Sequence, residues 1–151
     1  MSKTATDGAT GQQLDDLVCF AVYSASHAFN QLYKPLLDAL GLTYPQYLVM
    51  LLLWAKDDRT VGELGEELLL ESNTLTPLLK RLESAGLIGR SRDPADERKV
   101  RVRLSERGKA LRDEAQEVPA CIGEATGLSF PELRRLTGEI NALRRALLRR
   151  P

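Results

Sequence analysis

From Leu14 onward, Leu17, Val18, Ala21, Val22, Ala25, Ala28, Phe29 and Leu32 recur at steps of three and four, the period of an amphipathic helix. Pro35 predicts a bend or break near Lys34, because the residue before a proline avoids helical backbone. A short helical turn, Leu36 to Leu40, then stops at Gly41. Thr43 is placed to cap a helix from Pro45 to about Lys56 that is apolar nearly all round and therefore central. Asp57-Asp58 ends it. Thr60 opens a third helix, Val61 to Leu69, with Val61, Leu64 and Leu68 toward the core. Ser72, Asn73 or Thr74 caps a fourth helix running to about Ala85, ended by Gly86. Its apolar side is Leu75, Leu78, Leu79 and Leu82, which leaves Thr74, Thr76, Pro77, Lys80 and Arg81 on the other.

The period then changes from helical to alternating. Leu87 to Arg92 and Lys99 to Leu104 both alternate, and the charged turn Asp93 to Glu97 lies between them, so a β-hairpin is expected. Ser105 caps a fifth helix reaching about Ala125, with a kink at Pro119. Ser129-Phe130-Pro131-Glu132 is a capping box that opens a last helix to Arg149. A tight helix pair followed by a basic β-ribbon is a winged helix-turn-helix, so the fold class is mainly α with a small β-wing. The helices at both chain ends carry apolar faces that so small a domain cannot cover, and a C2 homodimer is the simplest way to bury them. The expected division is a flexible tail over 1–13, an N-terminal dimerisation helix over 14–42, a DNA-binding region over 43–104 and C-terminal dimerisation helices over 105–151.

Composition narrows the class. The 151 residues suit one domain, and 43% hydrophobic with 28% charged residues is a globular balance, not a disordered one. The longest apolar run, Tyr47 to Ala55, is nine residues against about 18 for a membrane span, so no membrane contact is expected. The first thirteen residues have no apolar core of a signal peptide, which favours a cytoplasmic protein. Net charge is zero, yet unevenly placed. Residues 1–70 hold 4 Lys/Arg against 9 Asp/Glu, whereas residues 71–112 hold 11 against 6. That basic block is the footprint expected of a polyanion-binding face, double-stranded DNA above all; a solvated charged surface is the plainer alternative.

Two cysteines and one histidine make neither a disulfide framework nor a closed zinc site, and no metal or cofactor is expected. Cys19 lies inside the first helix with Tyr23 one turn later, and Tyr33 and Tyr44 follow 14 and 25 residues on. Fourteen residues of straight helix rise about 21 Å, so Tyr33 reaches its own Cys19 only if the helix folds back; a second chain can supply it. A lone cysteine is often just a small buried hydrophobe, and His27 on the same face suits a packed interface better than a base. Cys121 is open to the same plain reading.

The run from Leu42 through Trp54, the helix pair and wing from Thr60 to Arg90, and the segment Arg92 to Gly108 resemble the multiple-antibiotic-resistance regulator (MarR) family of bacterial transcription factors. Leu14 to Tyr47, with its cysteine–tyrosine spacing, is more narrowly similar to the organic hydroperoxide resistance regulators (OhrR), and Cys121 points to their two-cysteine type. That resemblance implies a homodimeric repressor released from operator DNA when an organic hydroperoxide oxidises Cys19. It implies phenols of Tyr33 and Tyr44 reaching the partner's cysteine, with Tyr23 near it, and an intersubunit disulfide from Cys121 as resolving thiol. Phenol donors favour the thiolate that attacks peroxide.

On the DNA side it implies a fourth helix in the major groove, presenting Ser72, Asn73, Thr74, Thr76, Pro77, Lys80 and Arg81. It also implies a wing in which Asp96 holds Arg98 in the minor groove and Arg90 and Arg92 approach phosphates. Lys99, Arg101 and Arg103 are further candidates, although alternation lets only one strand face do so. Glu97 stands where many relatives carry glycine, which leaves the tip's geometry open. Two rivals stand beside this picture. A relative released by a non-covalent phenolic ligand would not need Cys19. A thiol peroxidase would need a βαβ scaffold that the pattern does not contain.

Overall fold

The computed structural model describes residues 13–149; the tail expected over 1–13 lies outside them except for Gln13. A single 3-10 turn, Leu14–Asp16, precedes α1, Val18–Asp38. Then come α2 (Tyr44–Ala55), β1 (Arg59–Thr60), α3 (Val61–Leu68) and α4 (Ser72–Ser84). The hairpin strands β2 (Ile88–Arg92) and β3 (Val100–Leu104) follow, then α5 (Glu106–Glu114), α6 (Val118–Thr126) and α7 (Phe130–Leu148). The chain forms two compact units that part after Lys109.

In the first unit the helix pair packs on a three-stranded antiparallel sheet of order β1-β3-β2. Thr43 caps α2 with a full capping box to Gln46, and Thr60 caps α3 by accepting from the Glu63 N–H at 3.1 Å. Leu64, Leu75, Leu79, Leu82, Val49, Met50 and Val102 are wholly buried, and Leu37 and Leu42 bring the end of α1 into the same core. Burying a leucine is worth about 1.5–3 kcal/mol, so the three on α4 fix which face of that helix is left outside.

Three expectations are corrected, and one strand is added. α1 runs unbroken through Pro35 and absorbs the short helix expected after it. Proline costs one hydrogen bond there, and Leu37, 2% exposed, rewards the extra turn. Helix α4 is capped by the Glu71 backbone without a side-chain cap, since the Thr74 and Leu75 N–H groups both reach the Glu71 carbonyl at 3.0 Å. The fifth helix is two helices: α5 stops at Glu114, and Pro119 sits in the first turn of α6, where its missing N–H costs nothing. Finally, β1 pairs Arg59 with Val102 and Thr60 with Arg101, a strand too short to show in the pattern.

The second unit has a modest core of Leu111, Ala115, Val118 and Ile122. Helix α7 begins at the expected Ser129–Glu132 capping box and has no buried residue.

Candidate nucleic-acid interface and thiol site

The turn between α3 and α4 is made by Leu69 in the left-handed conformation, φ 59°, whose N–H closes on the Gly65 carbonyl. Gly65 is required there: a Cβ would lie 2.8 Å from the Leu70 carbonyl oxygen. This tight turn starts α4 early, so Ser72, Asn73 and Thr74 occupy its first turn, exposed, instead of capping it. Pro77, Lys80 and Arg81 are also exposed, and Thr76 is half-buried. With Leu75, Leu79 and Leu82 locked inward, the outer face offers hydroxyls, an amide, a proline ring and two cations, groups that suit base edges and phosphates.

The wing sorts its arginines by partner. Arg98 projects from the tip with its side chain 91% exposed, held by Asp96: Nε donates to Oδ1 at 3.1 Å and the Arg98 N–H to the same oxygen at 3.1 Å. These bonds, the side-chain one first, keep the Asp96 carboxyl below the usual carboxylate range. An arginine aimed outward by a fixed acid is suited to a groove. Arg90 is instead tied to Glu83 at the end of α4, Nη2 to Oε1 at 3.0 Å, which lowers the Glu83 pKa and joins wing to helix. Arg101 lies between Asp93 at 2.9 Å and Asp58 at 3.3 Å, and Arg103 meets Asp58 at 3.1 Å. Those two arginines staple β3 to the chain before β1. Arg92 and Lys99 are exposed.

The acids Glu83, Asp58 and Asp93 were not singled out from sequence. For Glu83 and Asp93 the signal is local: acids embedded in a basic block, Asp93 also closing a turn by accepting from the Ala95 N–H at 2.7 Å, whereas Asp58 lies outside that block. Between wing and helix pair lies a cleft of about 380 Å³ lined by Thr60, Ser72, Thr76, Arg90, Arg98 and Lys99 among others.

The thiol chemistry is spread along α1. Cys19 is exposed in its first turn. Tyr23, 62% exposed, follows one turn later and stacks edge-on with His27 at 4.5 Å between centroids. At the other end Tyr33 packs on Tyr44 at 4.7 Å and on Tyr47 at 5.9 Å. Because α1 is continuous, Cys19 and Tyr33 of one chain stand about 21 Å apart along its axis. Burial, reinforced by the neighbouring Tyr44 and Tyr47, pushes the Tyr33 phenol up to about 12, and burial raises Tyr44 as well. Both therefore remain O–H donors at any physiological pH. They line a cavity of about 350 Å³ with Asn30, Leu37, Leu42 and Thr43. Cys121 is exposed on α6, in the other unit. Among the described residues no cluster of three metal-ligating side chains occurs, and no helix is long and apolar enough to cross a membrane.

A family model described as transcriptional regulator SarA/Rot matches residues 31–115. The chain is 45% identical to the HTH-type transcriptional regulator TtmR of Methylorubrum extorquens (strain PA1), over 95% of this chain and 73% of that protein. It is 44% identical to the organic hydroperoxide resistance transcriptional regulator of Bacillus subtilis (strain 168), over 87% of this chain and 89% of that one. Among solved structures, reduced AbfR bound to DNA superposes with a TM-score of 0.75 at 34% identity, covering 88% of this chain and 93% of the other. Disulfide-formed AbfR superposes with 0.66 at the same identity, covering 88% and 90%.

Proposed function

Because the chain belongs to the MarR family of DNA-binding transcription regulators and is OhrR-like within it, we propose that it is a repressor whose switch is Cys19. It acts as a homodimer in the cytoplasm, binds operator DNA through α4 and the wing, and leaves on meeting an organic hydroperoxide. The observation that carries this reading is the separation along α1: two half-buried phenols at one end, an exposed thiol at the other, and a continuous helix between them. One chain cannot bring them together. Two antiparallel copies can.

The chemistry then follows in balanced steps. Donors from Tyr33 and Tyr44 of one protomer stabilise the thiolate of Cys19 in its partner, and Tyr23 lines the approach. The sulfur attacks the peroxide O–O bond, which breaks; the alkoxide takes a proton and leaves as alcohol, and Cys19 becomes a sulfenic acid. The thiol of Cys121 from the other chain attacks that sulfur, water leaves, and a disulfide joins the protomers. Support for the last step comes from an exposed second cysteine and from a relative solved in a disulfide-formed state.

Stoichiometric cumene hydroperoxide should give a band of twice the monomer mass on a non-reducing gel, reversed by dithiothreitol, together with loss of the DNA complex. Cys19→Ser should abolish both. Cys121→Ser should stop at sulfenic acid and drift to sulfinic acid under excess oxidant. Tyr33→Phe, which removes one donor, should only slow the reaction. The cavity beside Tyr33 and Tyr44 favours a second reading, release by a bound phenol. A Cys19→Ser protein still released by inducer would select it.

A further inference from the structure

The carboxylate of Glu83, in the last turn of α4, holds Arg90 of β2 both by its backbone and by its side chain. Oε2 accepts from the Arg90 backbone N–H at 3.2 Å, and Oε1 accepts from its Nη2 at 3.0 Å and its Nε at 3.4 Å. In the sheet order β1-β3-β2 the strand β2 lies at an edge, so Glu83 takes up an N–H of that edge. Farther out, the wing is fixed on itself. The Lys99 N–H meets the Asp96 carbonyl at 2.9 Å, Asp93 accepts from Ala95 and Arg101, and Asp96 holds Arg98. Leu87 and Ile88, both 4% exposed, pack the wing's root against the end of α4. Toward the start of α4, by contrast, wing and helix are parted by the cleft of about 380 Å³ that Ser72, Thr76, Arg98 and Lys99 help to line.

We propose that Glu83 is a positioning residue for DNA binding: through Arg90 it fixes the angle at which the wing, and with it Arg98, stands to α4. Apolar packing at the root is non-directional, whereas two oxygens of one carboxylate fix both where β2 sits and how it is turned. The tip is rigid in itself, so an error at Arg90 is carried outward whole. Strands rise about 3.3 Å per residue, and a tilt of about 10° at Arg90 would displace Pro94 by about 2 Å, enough to break a hydrogen bond to a phosphate or a base edge. Arg90, its guanidinium turned to Glu83 and its side chain 23% exposed, acts through this pair and not as a phosphate contact. The inference rests on the reading that α4 and Arg98 both meet DNA.

A double-mutant cycle on the reduced protein tests it, with a duplex of DNA from upstream of the protein's own gene. Glu83→Ala should raise Kd by about three- to tenfold in the parent but by less than about twofold in an Arg98→Ala background, where no tip contact is left to misplace. Glu83→Gln, which keeps an acceptor for the Arg90 N–H, should recover part of the loss. Arg90→Ala should match Glu83→Ala and leave the salt dependence of binding as it was. An equal loss in both backgrounds overturns the proposal, because Glu83 would then be supporting α4 itself. A salt slope lowered by about one in Arg90→Ala also overturns it, because Arg90 would then be a phosphate contact. If Arg98→Ala binds like the parent, the reading of the wing on DNA fails, and a second measurement still decides this one. Spin labels at Ser72→Cys and Glu97→Cys, with Cys19→Ser and Cys121→Ser and dilution by unlabelled chain, report the distance across the cleft. Glu83→Ala should broaden that distribution, and an unaltered width counts against Glu83.

Discussion

The winged-helix core and the helices toward the two chain ends treat their apolar residues in opposite ways. The wholly buried side chains among the described residues run from Leu37, at the very end of α1, to Val102, where α2, α3, α4 and β3 enclose one another. Along α1, by contrast, Val18, Val22 and Phe29 are 62%, 42% and 43% exposed, and on α7 Leu136, Ile140 and Leu147 are 43%, 44% and 61% exposed. In the first region the proposed DNA contacts lie on what remains outside after the core is satisfied: the outer face of α4 and Arg98. In the second the surface is one that a single chain leaves unsatisfied, which is where the proposed thiol switch needs a partner.

The sharpest way to break this contrast is at the seat of α5. Gly108→Ala places a methyl against the Leu87 backbone, which has no side-chain freedom with which to yield. It should cost about 3 kcal/mol or more of folding stability, lowering the melting temperature by on the order of 10 °C. Thermal denaturation followed by circular dichroism measures it. A protein that melts near the parent temperature would show that the unit is not closed as tightly as its buried leucines indicate.

Ile140→Asp should act in the other direction, on assembly instead of folding. The side chain is half-exposed in one chain, so the helix tolerates the charge, but a C2 interface receives it twice. Dimer Kd measured by sedimentation should rise by about a hundredfold, or about 2.7 kcal/mol, with helicity retained. An unaltered dimer would move the partner surface elsewhere on the chain ends.

How far all this was legible in sequence follows the same divide. Periodicity located α1 through α4, the hairpin and α7, and the capping residues Thr43, Thr60 and Ser129 fell where a side-chain oxygen was needed. It failed where a tertiary contact outvoted local chemistry. Pro35 did not stop α1 because Leu37 is in the core, and Ser72 did not cap α4 because the Leu69 turn starts that helix early. The phenol pair was visible as a spacing, but its mutual packing depends on α2 returning alongside α1. Alternation marked the wing's arginines without dividing them, since Arg101 and Arg103 are set apart from Arg98 by Asp58 and Asp93, and Asp58 comes from far along the chain.

That division of the wing supplies the smallest and most selective test. Arg98 has one partner and a free outward face; Arg103, though also exposed in part, is stapled to Asp58. Arg98→Ala should therefore weaken operator binding by about 1–3 kcal/mol, whereas Arg103→Ala should cost little binding and show instead as a loss of wing stability. Asp96→Asn should fall below Arg98→Ala, because the arginine keeps its charge and loses only its orientation. The pH dependence has a definite sign. The Arg98 bonds hold the Asp96 carboxyl below its ordinary 3.8, so the clamp is fully present above that value and is lost only as pH falls through the lowered one. Fluorescence anisotropy titrations from pH 5 to 8 should thus show no change in the advantage of parent over Asp96→Asn. An advantage that fades within that window would mean that Asp96 does not orient Arg98 on DNA, and that the tip of the wing is as unsatisfied as the chain ends.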